Sequence, residues 1–283
     1  MSKIQVITDT DSSLPADLAT RYSIIQVPIT IHFDDEVYQS CVDIDDKLLF
    51  EKIDAMKKLP TTAAPSPAAF EKAFQNAFTN GMESIICICV GSKISRTYES
   101  AIAAAEEFPG KKISVIDSES LSLCQGFMAL AAAKIVSEGG SHEDAVETAK
   151  SLLGRTQLYG ALTTLKYLAM GGRVGTMAAG MADLLNIRPI LTIIDGKLAL
   201  LEKVRTQRAA MDRLVNLLVK SAQGKENLKI GITHINNPAG AAELEKRLQN
   251  ELKLPSEIVV AEFTPGLSVH GGSGLVAGIL LTK

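Results

Sequence analysis

The feature that most restricts the fold is an alternation of strand-like and helix-like segments through the first half of the chain. Short apolar runs predict strands over 3–8, 24–32, 84–90 and 112–116. Helical spacing of apolar residues predicts helices over 15–21, 45–58, 67–78, 97–107, 121–138 and 141–153. Such an alternation favours a parallel sheet with helices on both faces. We therefore expect an α/β domain over residues 1–156.

The pattern changes after residue 156, where hairpin signals join the helices. Strands are predicted over 156–163, 188–204, 228–233, 257–262 and 275–281, and helices over 206–222 and 239–252. Asp195-Gly196 interrupts the second of these strands, and this dipeptide is a strong signal for a tight turn between antiparallel strands. We expect a second, α+β domain over residues 157–283 with a mixed or antiparallel sheet.

Composition and charge argue against several classes of protein. The chain has a net charge of -3, which gives no reason to expect a nucleic acid or an anionic membrane surface as a partner. No apolar run approaches the ~20 residues that span a bilayer. The N-terminus enters a strand directly, without a signal-peptide core, so the expected location is the cytoplasm.

Motifs for metals, nucleotides and covalent catalysis are missing. The four cysteines lack zinc-ligand spacing, so we expect buried free thiols and no metal. The sequence has neither a phosphate-binding loop nor a nucleophile elbow. Residues 272–277 match a dinucleotide fingerprint by letters, but they precede a predicted strand instead of a helix. No cofactor is expected.

Four segments rich in hydroxyl groups are the strongest functional signal. Residues 8–13, 91–97 and 117–120 directly follow predicted strands, and residues 60–66 follow a predicted helix. In an open parallel sheet such segments meet at the carboxyl ends of the strands, where these folds bind ligands. Hydroxyl donors without strong bases suit the binding of an anionic or polar head group better than bond cleavage.

A histidine and an arginine each lie next to glycines, a setting in which their side chains can contact a ligand. His270 lies in a glycine-rich stretch that we expect to be a loop, with free amides able to face a ligand. A histidine bonded to a backbone carbonyl in a tight loop explains this pattern equally well. Arg173 follows Gly171-Gly172 at a predicted helix end, where it can reach a ligand or a carboxylate of this protein.

Two further segments have both a functional and a purely structural interpretation. Methionine and leucine side chains over 177–185, separated by small residues, suit the wall of a narrow apolar cavity, although such stripes also form ordinary core. Residues 203–213 form a basic cluster that includes Arg205. This cluster is either a solvated face or a surface that docks an acidic partner.

With these residues assembled, the chain resembles the DegV family of bacterial fatty-acid-binding proteins from end to end. Six segments in the family's order carry the resemblance. They are Ile7-Thr8-Asp9 with the Ser-rich turn after it, Pro60-Thr61-Thr62 with Pro65-Ser66, Ser92-Lys93-Ile94-Ser95 with Thr97-Tyr98, Val115-Ile116-Asp117-Ser118, Leu165 to Arg173, and Val269-His270 with Gly272 and Gly274. Each segment alone is a weak signal, whereas six in order are a strong one.

The resemblance implies a sheet of the DegV and dihydroxyacetone-kinase type and a second domain, with one long-chain fatty acid in a tunnel between them. It further implies a non-catalytic, acyl-binding subunit of a fatty acid kinase system. A separate ATP-binding subunit would then phosphorylate the carboxylate, giving an acyl phosphate for phospholipid synthesis. Transient contact with a membrane would allow lipid exchange.

The family pattern also assigns roles to individual residues. The residues that it places around the fatty acid carboxylate are Thr62, Ser95, Ser92, Arg173 and His270. Thr62 and Ser95 would bond the carboxylate, with Ser92 as a further participant. Arg173 and His270 would orient this network, and Arg205 would belong to the kinase-docking face.

Three places in the chain depart from the family pattern. Ala63 and Ala64 stand where the family commonly has a serine and then a variable residue, which removes one hydroxyl donor. Arg96 replaces the usual glycine and adds a cation near the expected head group. Ser273 replaces the usual proline. These departures affect the expected hydrogen bonds more than the class of ligand.

Two other functions remain open from the sequence. Ser92 or Ser95 with His270 and either Asp9 or Asp117 provides the side chains of a hydrolase triad, although no elbow motif exposes a serine. The other alternative is a regulator that senses a lipid and binds a protein through the basic cluster.

Overall fold

The computed structural model describes residues 3–173, 187–226, 228–252 and 258–282. The strands are β1 Ile4–Asp9, β2 Ile25–Val27, β3 Thr30–Phe33, β4 Glu36–Gln39, β5 Thr61–Ala63, β6 Ser84–Cys89, β7 Lys112–Asp117, β8 Thr156–Ala161, β9 Arg188–Ile194, β10 Lys197–Val204, β11 Lys229–His234, β12 Val259–Glu262 and β13 Val276–Leu281. The helices are α1 Ala16–Arg21, α2 Asp46–Met56, α3 Pro67–Thr79, α4 Thr97–Glu106, α5 Leu123–Ser137, α6 His142–Lys150, α7 Lys166–Met170, α8 Gln207–Ala222, α9 Pro238–Glu251 and α10 Pro265–Gly271. None of the helices in these ranges has the length and hydropathy needed to cross a bilayer. The apolar stripe over 177–185 lies outside the described residues.

Four strands form a fully parallel sheet in the order β2-β1-β6-β7. The side chains of β6 alternate between its faces, since Ile86 and Ile88 join the apolar cluster with α5 whereas Ile85 and Cys87 join the cluster with α3 and α4. Every residue of β6 is buried, as expected for a central strand between two helical layers. The predicted parallel sheet flanked by helices is confirmed. All four cysteines are free, and Cys41 is exposed, contrary to the expectation of burial.

The prediction of one strand over 24–32 is wrong, because this segment forms two strands in two sheets. β2 ends before Pro28, which has no N–H to donate to a sheet. The next N–H, that of Ile29, donates to Thr10 Oγ1 at 3.0 Å. β3 then pairs with β4 and β5 in a three-stranded antiparallel sheet that the sequence analysis missed. This sheet holds Thr62 opposite Ile31.

The second large sheet contains six strands in the order β10-β9-β8-β13-β11-β12. Only the β11–β12 pair is parallel, and the other pairs are antiparallel. At the β9–β10 turn Asp195 has φ 50° and Gly196 has φ 74°, the left-handed pair that a tight hairpin turn requires. The predicted mixed sheet and its hairpin are confirmed.

The expected loop around His270 is instead a short helix, α10. Pro265 stands in its first turn and Gly272, at φ 75°, follows its end. Proline suits the first turn of a helix and glycine suits the position after its end. The proline and the glycine that suggested a loop therefore mark the two ends of this helix.

Helix α5 contacts both large sheets, on β1 and β6 from one and on β8, β11 and β13 from the other. Gly231 on β11 lies so close to α5 that a Cβ there would stand 2.7 Å from the Leu123 side chain. One apolar cluster consequently contains Val6 from the parallel sheet and Ile279 from the six-stranded sheet. The domain boundary between residues 156 and 157 stays a prediction.

Candidate functional site

A cavity of about 820 Å³, its opening included, is lined by residues near the parallel sheet, by the six-stranded sheet and by α10. Its walls are mostly apolar and include Leu158 from β8, Leu191 from β9 and Leu267 from α10. The polar side chains in the described lining are Asp11, Thr62, Ser95, Arg173 and His270. Apolar walls with a few convergent polar groups are typical of small-molecule sites.

Thr62 and His270, 208 positions apart in the sequence, meet in this cavity. Thr62 Oγ1 and His270 Nε2 are hydrogen-bonded at 2.8 Å. The pairing of β5 with β3 fixes Thr62, and the last turn of α10 carries His270. The structure therefore brings together two of the residues that the sequence analysis assigned to one network.

His270 is a neutral imidazole at neutral pH. Burial, and to a smaller extent the positive charge of Arg173, lowers the pKa of His270 to about 4. Among the described residues its buried Nδ1 has no hydrogen-bond partner, and it faces Gly171, where a Cβ would lie 2.2 Å from Nδ1. A proton on Nδ1 would be an unsatisfied buried donor, so we assign the proton to Nε2.

Arg173 directly follows the two glycines after α7, as predicted. Gly172 adopts φ 71°, and the Arg173 N–H donates to the Leu168 carbonyl at 2.9 Å, which closes the end of the helix. Arg173 Nη1 donates to the Gly171 carbonyl at 2.5 Å. The positive charge of Arg173 adds to the effect of burial in lowering the pKa of His270, and it opposes the upward shift that burial causes in the pKa of Asp11.

The two serines predicted near the head group occupy different positions. Ser95 lines the cavity, and its Oγ is bonded to Thr97 Oγ1 at 2.8 Å. Ser92 is not among the described lining residues, and its N–H donates to Asp117 Oδ1 at 3.1 Å. Arg96 is exposed and does not line the cavity either.

Two buried carboxyl groups lie at this end of the parallel sheet, Asp9 at the end of β1 and Asp11 in the hydroxyl-rich segment after it. The oxygens of Asp9 accept hydrogen bonds from the Asp11 N–H (2.9 Å), the Val90 N–H (2.8 Å) and Gln125 Nε2 (2.9 Å), so this carboxyl group holds the surrounding loops. Burial nevertheless raises the pKa of Asp9 to about 6. Asp11 instead lines the cavity, and no residue in the described part of the chain is hydrogen-bonded to its buried Oδ1. The only sequence signal for Asp11 was its position after a strand.

The hydrolase triad considered from the sequence is not assembled. His270 Nε2 bonds Thr62 instead of a serine, and Nδ1 has no partner in the described ranges. Asp117 accepts hydrogen bonds from the backbone N–H groups of Ser92 and Glu119. A triad requires a serine–histidine and a histidine–carboxylate hydrogen bond, and neither is present among these side chains.

The basic cluster lies outside the cavity. Arg205 is exposed on the turn between β10 and α8. Arg213, by contrast, is paired with Glu202 through two hydrogen bonds of 2.7 and 2.5 Å, which neutralises its charge. The described residues contain no group of three His, Cys, Asp or Glu side chains arranged to hold a metal ion.

Comparison with known proteins shows similarity over the whole chain. The family model described as "Uncharacterised protein, DegV family" matches residues 3–283. A DegV domain-containing protein of Caldanaerobacter subterraneus is 32% identical over 272 residues, 96% of each chain. A solved Thermus thermophilus DegV family structure described by its fatty acid binding has a TM-score of 0.92 and 26% identity, covering 99% of each chain. Bacillus subtilis DegV, described as a fatty acid binding protein, has a TM-score of 0.89 and 28% identity over 100% of each chain.

Proposed function

The chain belongs to the DegV family, and on that premise we propose that it binds one long-chain fatty acid in the cavity. The observation that carries the proposal is an apolar cavity that includes the hydrogen-bonded Thr62–His270 pair and Arg173. The T. thermophilus and B. subtilis relatives, both described by fatty acid binding, support it.

The apolar walls would supply most of the binding free energy. Each buried methylene contributes ~0.8 kcal/mol, so a palmitoyl chain with about 14 methylenes gains roughly 11 kcal/mol before the cost of ordering it. The carboxylate must then be hydrogen-bonded, because an unpaired buried charge is costly. The polar side chains of the cavity are the groups available for this purpose.

The tautomer of His270 sets the direction of hydrogen bonding in the head-group network. With its proton on Nε2, the imidazole donates to Thr62 Oγ1, and the threonine proton stays available to the ligand. Thr62 then donates to one carboxylate oxygen, Ser95 is the second donor, and Arg173 supplies the balancing charge. Ser92, which does not line the cavity, is proposed only as a neighbour of this network.

Replacing Thr62 tests this network. Thr62→Val keeps the side-chain shape and removes the donor, so we expect palmitate binding about tenfold weaker, measured by displacement of a fluorescent fatty acid. Thr62→Ser restores the donor and is expected to keep affinity within a few-fold of wild type. Equal affinity of Thr62→Val and wild type would contradict the role given to Thr62.

Ser66 provides a matched control in the same hydroxyl-rich segment. Its Oγ accepts a hydrogen bond from the Ala69 N–H at 3.3 Å and caps α3. Ser66→Ala is expected to lower the free energy of unfolding by about 1 kcal/mol. It should leave the affinity for palmitate unchanged, because Ser66 does not line the cavity.

We further propose that the chain has no catalytic activity of its own and presents the carboxylate to a separate ATP-dependent kinase subunit. The product would be an acyl phosphate for phospholipid synthesis, with transient membrane contact during lipid exchange. The support is chemical, since hydroxyls, a neutral imidazole and an arginine hold and orient a carboxylate. Phosphoryl transfer depends mainly on such positioning and on charge stabilisation.

The exposed Arg205 is the residue proposed to dock the kinase subunit. Arg205→Glu is expected to reduce acyl phosphate formation about tenfold in a mixture with ATP and the kinase subunit, with unchanged palmitate affinity. Arg21→Glu, a charge reversal at an exposed position on α1, is the control. Acyl phosphate made by this chain alone would contradict the proposal. Palmitate binding without product in any kinase mixture would favour the lipid-sensing regulator.

A further inference from the structure

We propose that Asp11 is a further ligand-binding residue, which in its neutral acid form donates a hydrogen bond to the fatty acid carboxylate. This inference rests on the proposed fatty acid binding, and it adds a protonated Asp11 to the groups that would bond the carboxylate. Asp11 Oδ1 is buried in the cavity lining, and no described group stands in hydrogen-bond geometry to it; the nearby Thr264 hydroxyl, which influences the Asp11 carboxyl, is itself without such a bond among the described residues. A buried polar atom without a hydrogen bond lowers the stability of a folded protein, and a ligand that bonds to it would remove this cost.

The position of Asp11 places it beside the head-group network. Asp11 is 7% exposed, lines the cavity, and has at Oδ1 no hydrogen-bond partner among the described residues. Oδ1 lies against Gly266 of α10, where a Cβ would stand 2.7 Å from it. Gly266 and His270 are four residues apart and therefore share one face of this helix. Arg173 acts electrostatically on both Asp11 and His270.

The groups that surround Asp11 favour its neutral form. Burial raises its pKa well above the ordinary value, and the nearby carboxylate of Asp9 adds to this effect. The positive charge of Arg173 and the nearby Thr264 hydroxyl act in the opposite direction but do not outweigh burial. Asp11 also raises the pKa of Cys41, which precedes α2. Across α10, His270 is neutral and contributes no charge at neutral pH.

Protonated Asp11 would attract the fatty acid carboxylate, whereas ionised Asp11 would repel it. The protonated Asp11 has an O–H that can donate to a carboxylate oxygen, which shares one proton between two carboxyl groups. An ionised Asp11 would place a second negative charge beside the ligand and repel it. Fatty acid binding should therefore require a proton on Asp11, and affinity should fall as that proton is lost.

Palmitate affinity measured from pH 6 to 9.5 tests the inference. Wild type is expected to weaken at alkaline pH, by up to about tenfold per pH unit above the pKa of Asp11. Asp11→Asn keeps an N–H donor that cannot be lost, so its affinity should stay near the neutral-pH value of wild type and lack this alkaline decline. Asp11→Ala should bind about tenfold more weakly at pH 7.

Asp46→Asn is the matched control. Asp46 is also a buried carboxyl with one unpartnered oxygen and packs on α10 through Ser268, but it does not line the cavity. This variant should reproduce the pH profile of wild-type binding. It separates a specific effect of Asp11 from a general effect of neutralising a buried acid beside α10.

The outcomes distinguish this inference from the proposed function. If wild type does not bind palmitate at any pH, the fatty acid proposal fails. If wild type binds and Asp11→Asn shows the same alkaline decline, only the role of Asp11 is overturned. If Asp11→Ala fails to fold, the pH profiles of palmitate binding by wild type and by the nearly isosteric Asp11→Asn still test whether Asp11 donates a proton to the ligand.

Discussion

At the scale of single residues, two glycines allow α7 and α10 to meet at the proposed head-group network. Gly171 leaves room for the imidazole of His270, and Gly272 leaves room for the Tyr167 ring, whose Cδ2 would lie 2.2 Å from an added Cβ. The sequence shows Gly171 only as part of a helix end, because the side chain that packs on it comes from a distant segment. These contacts hold His270 beside Thr62.

Adding a methyl group at Gly171 should therefore disturb the ligand site. Gly171 has φ −79°, which alanine accepts, but its Cβ would overlap His270 Nδ1. We expect Gly171→Ala to displace the imidazole, break its bond to Thr62 and weaken palmitate binding about tenfold, as measured by fluorescent fatty acid displacement.

Gly172→Ala is the control for this substitution. Its φ of 71° disfavours alanine by about 1 kcal/mol, but no atom of the described residues lies within 4 Å of an added Cβ. This variant should lose stability and keep its palmitate affinity. Wild-type affinity in Gly171→Ala would show that close packing on His270 does not matter for binding.

At the scale of elements, a hydrogen bond from Ser268 Oγ to Asp46 Oδ2 (2.8 Å) joins α10 to α2. Asp46 is buried, and burial raises its pKa to about 7. The folded state therefore keeps a proton on Asp46 that the unfolded chain releases near pH 4. The resulting stabilisation is complete below that pH and is lost as the pH rises through about 7.

Asp46→Asn should flatten the pH dependence of stability. Between pH 4 and 7 we expect its free energy of unfolding to fall less steeply than that of wild type, by up to about 1.4 kcal/mol per pH unit. Ser268→Ala removes the bond that favours the charged form and should move the loss of stability to higher pH. Urea unfolding at a series of pH values measures both effects, and a wild-type slope in Asp46→Asn would contradict the assignment.

At the scale of the whole molecule, the core continues across the predicted domain boundary. Helix α5 packs on both large sheets, and β8 and β13, two of the strands it contacts, also contribute to the cavity lining. The proposed head-group residues come from β5, from α10 and from the segment after α7. Ligand binding should consequently respond to changes in packing far from the carboxylate.

Most of the long helices and strands could be predicted because the residues that specify each of them lie within the element itself or in the turn beside it. β6 is a continuous apolar run between helices, and Asp195-Gly196 alone specifies a hairpin turn. The sheet around β3 escaped prediction because strands of three or four residues carry little periodicity.

Much of the site could not be derived from local patterns, because its contacts join distant segments. The resemblance to the DegV family placed Thr62 and His270 in one network, and the structure shows their hydrogen bond. Asp11 was missed because its distinguishing feature, an unpartnered oxygen in a cavity, exists only after folding. Ser92 follows a strand as Ser95 does, but only Ser95 faces the cavity.

Native mass spectrometry of the purified protein, followed by denaturing extraction, tests the central claim most directly. We predict about one long-chain fatty acid per chain, released on denaturation, or stoichiometric uptake when palmitate or oleate is added to ligand-free protein. A protein that carries no fatty acid and takes up neither palmitate nor oleate would contradict the claim.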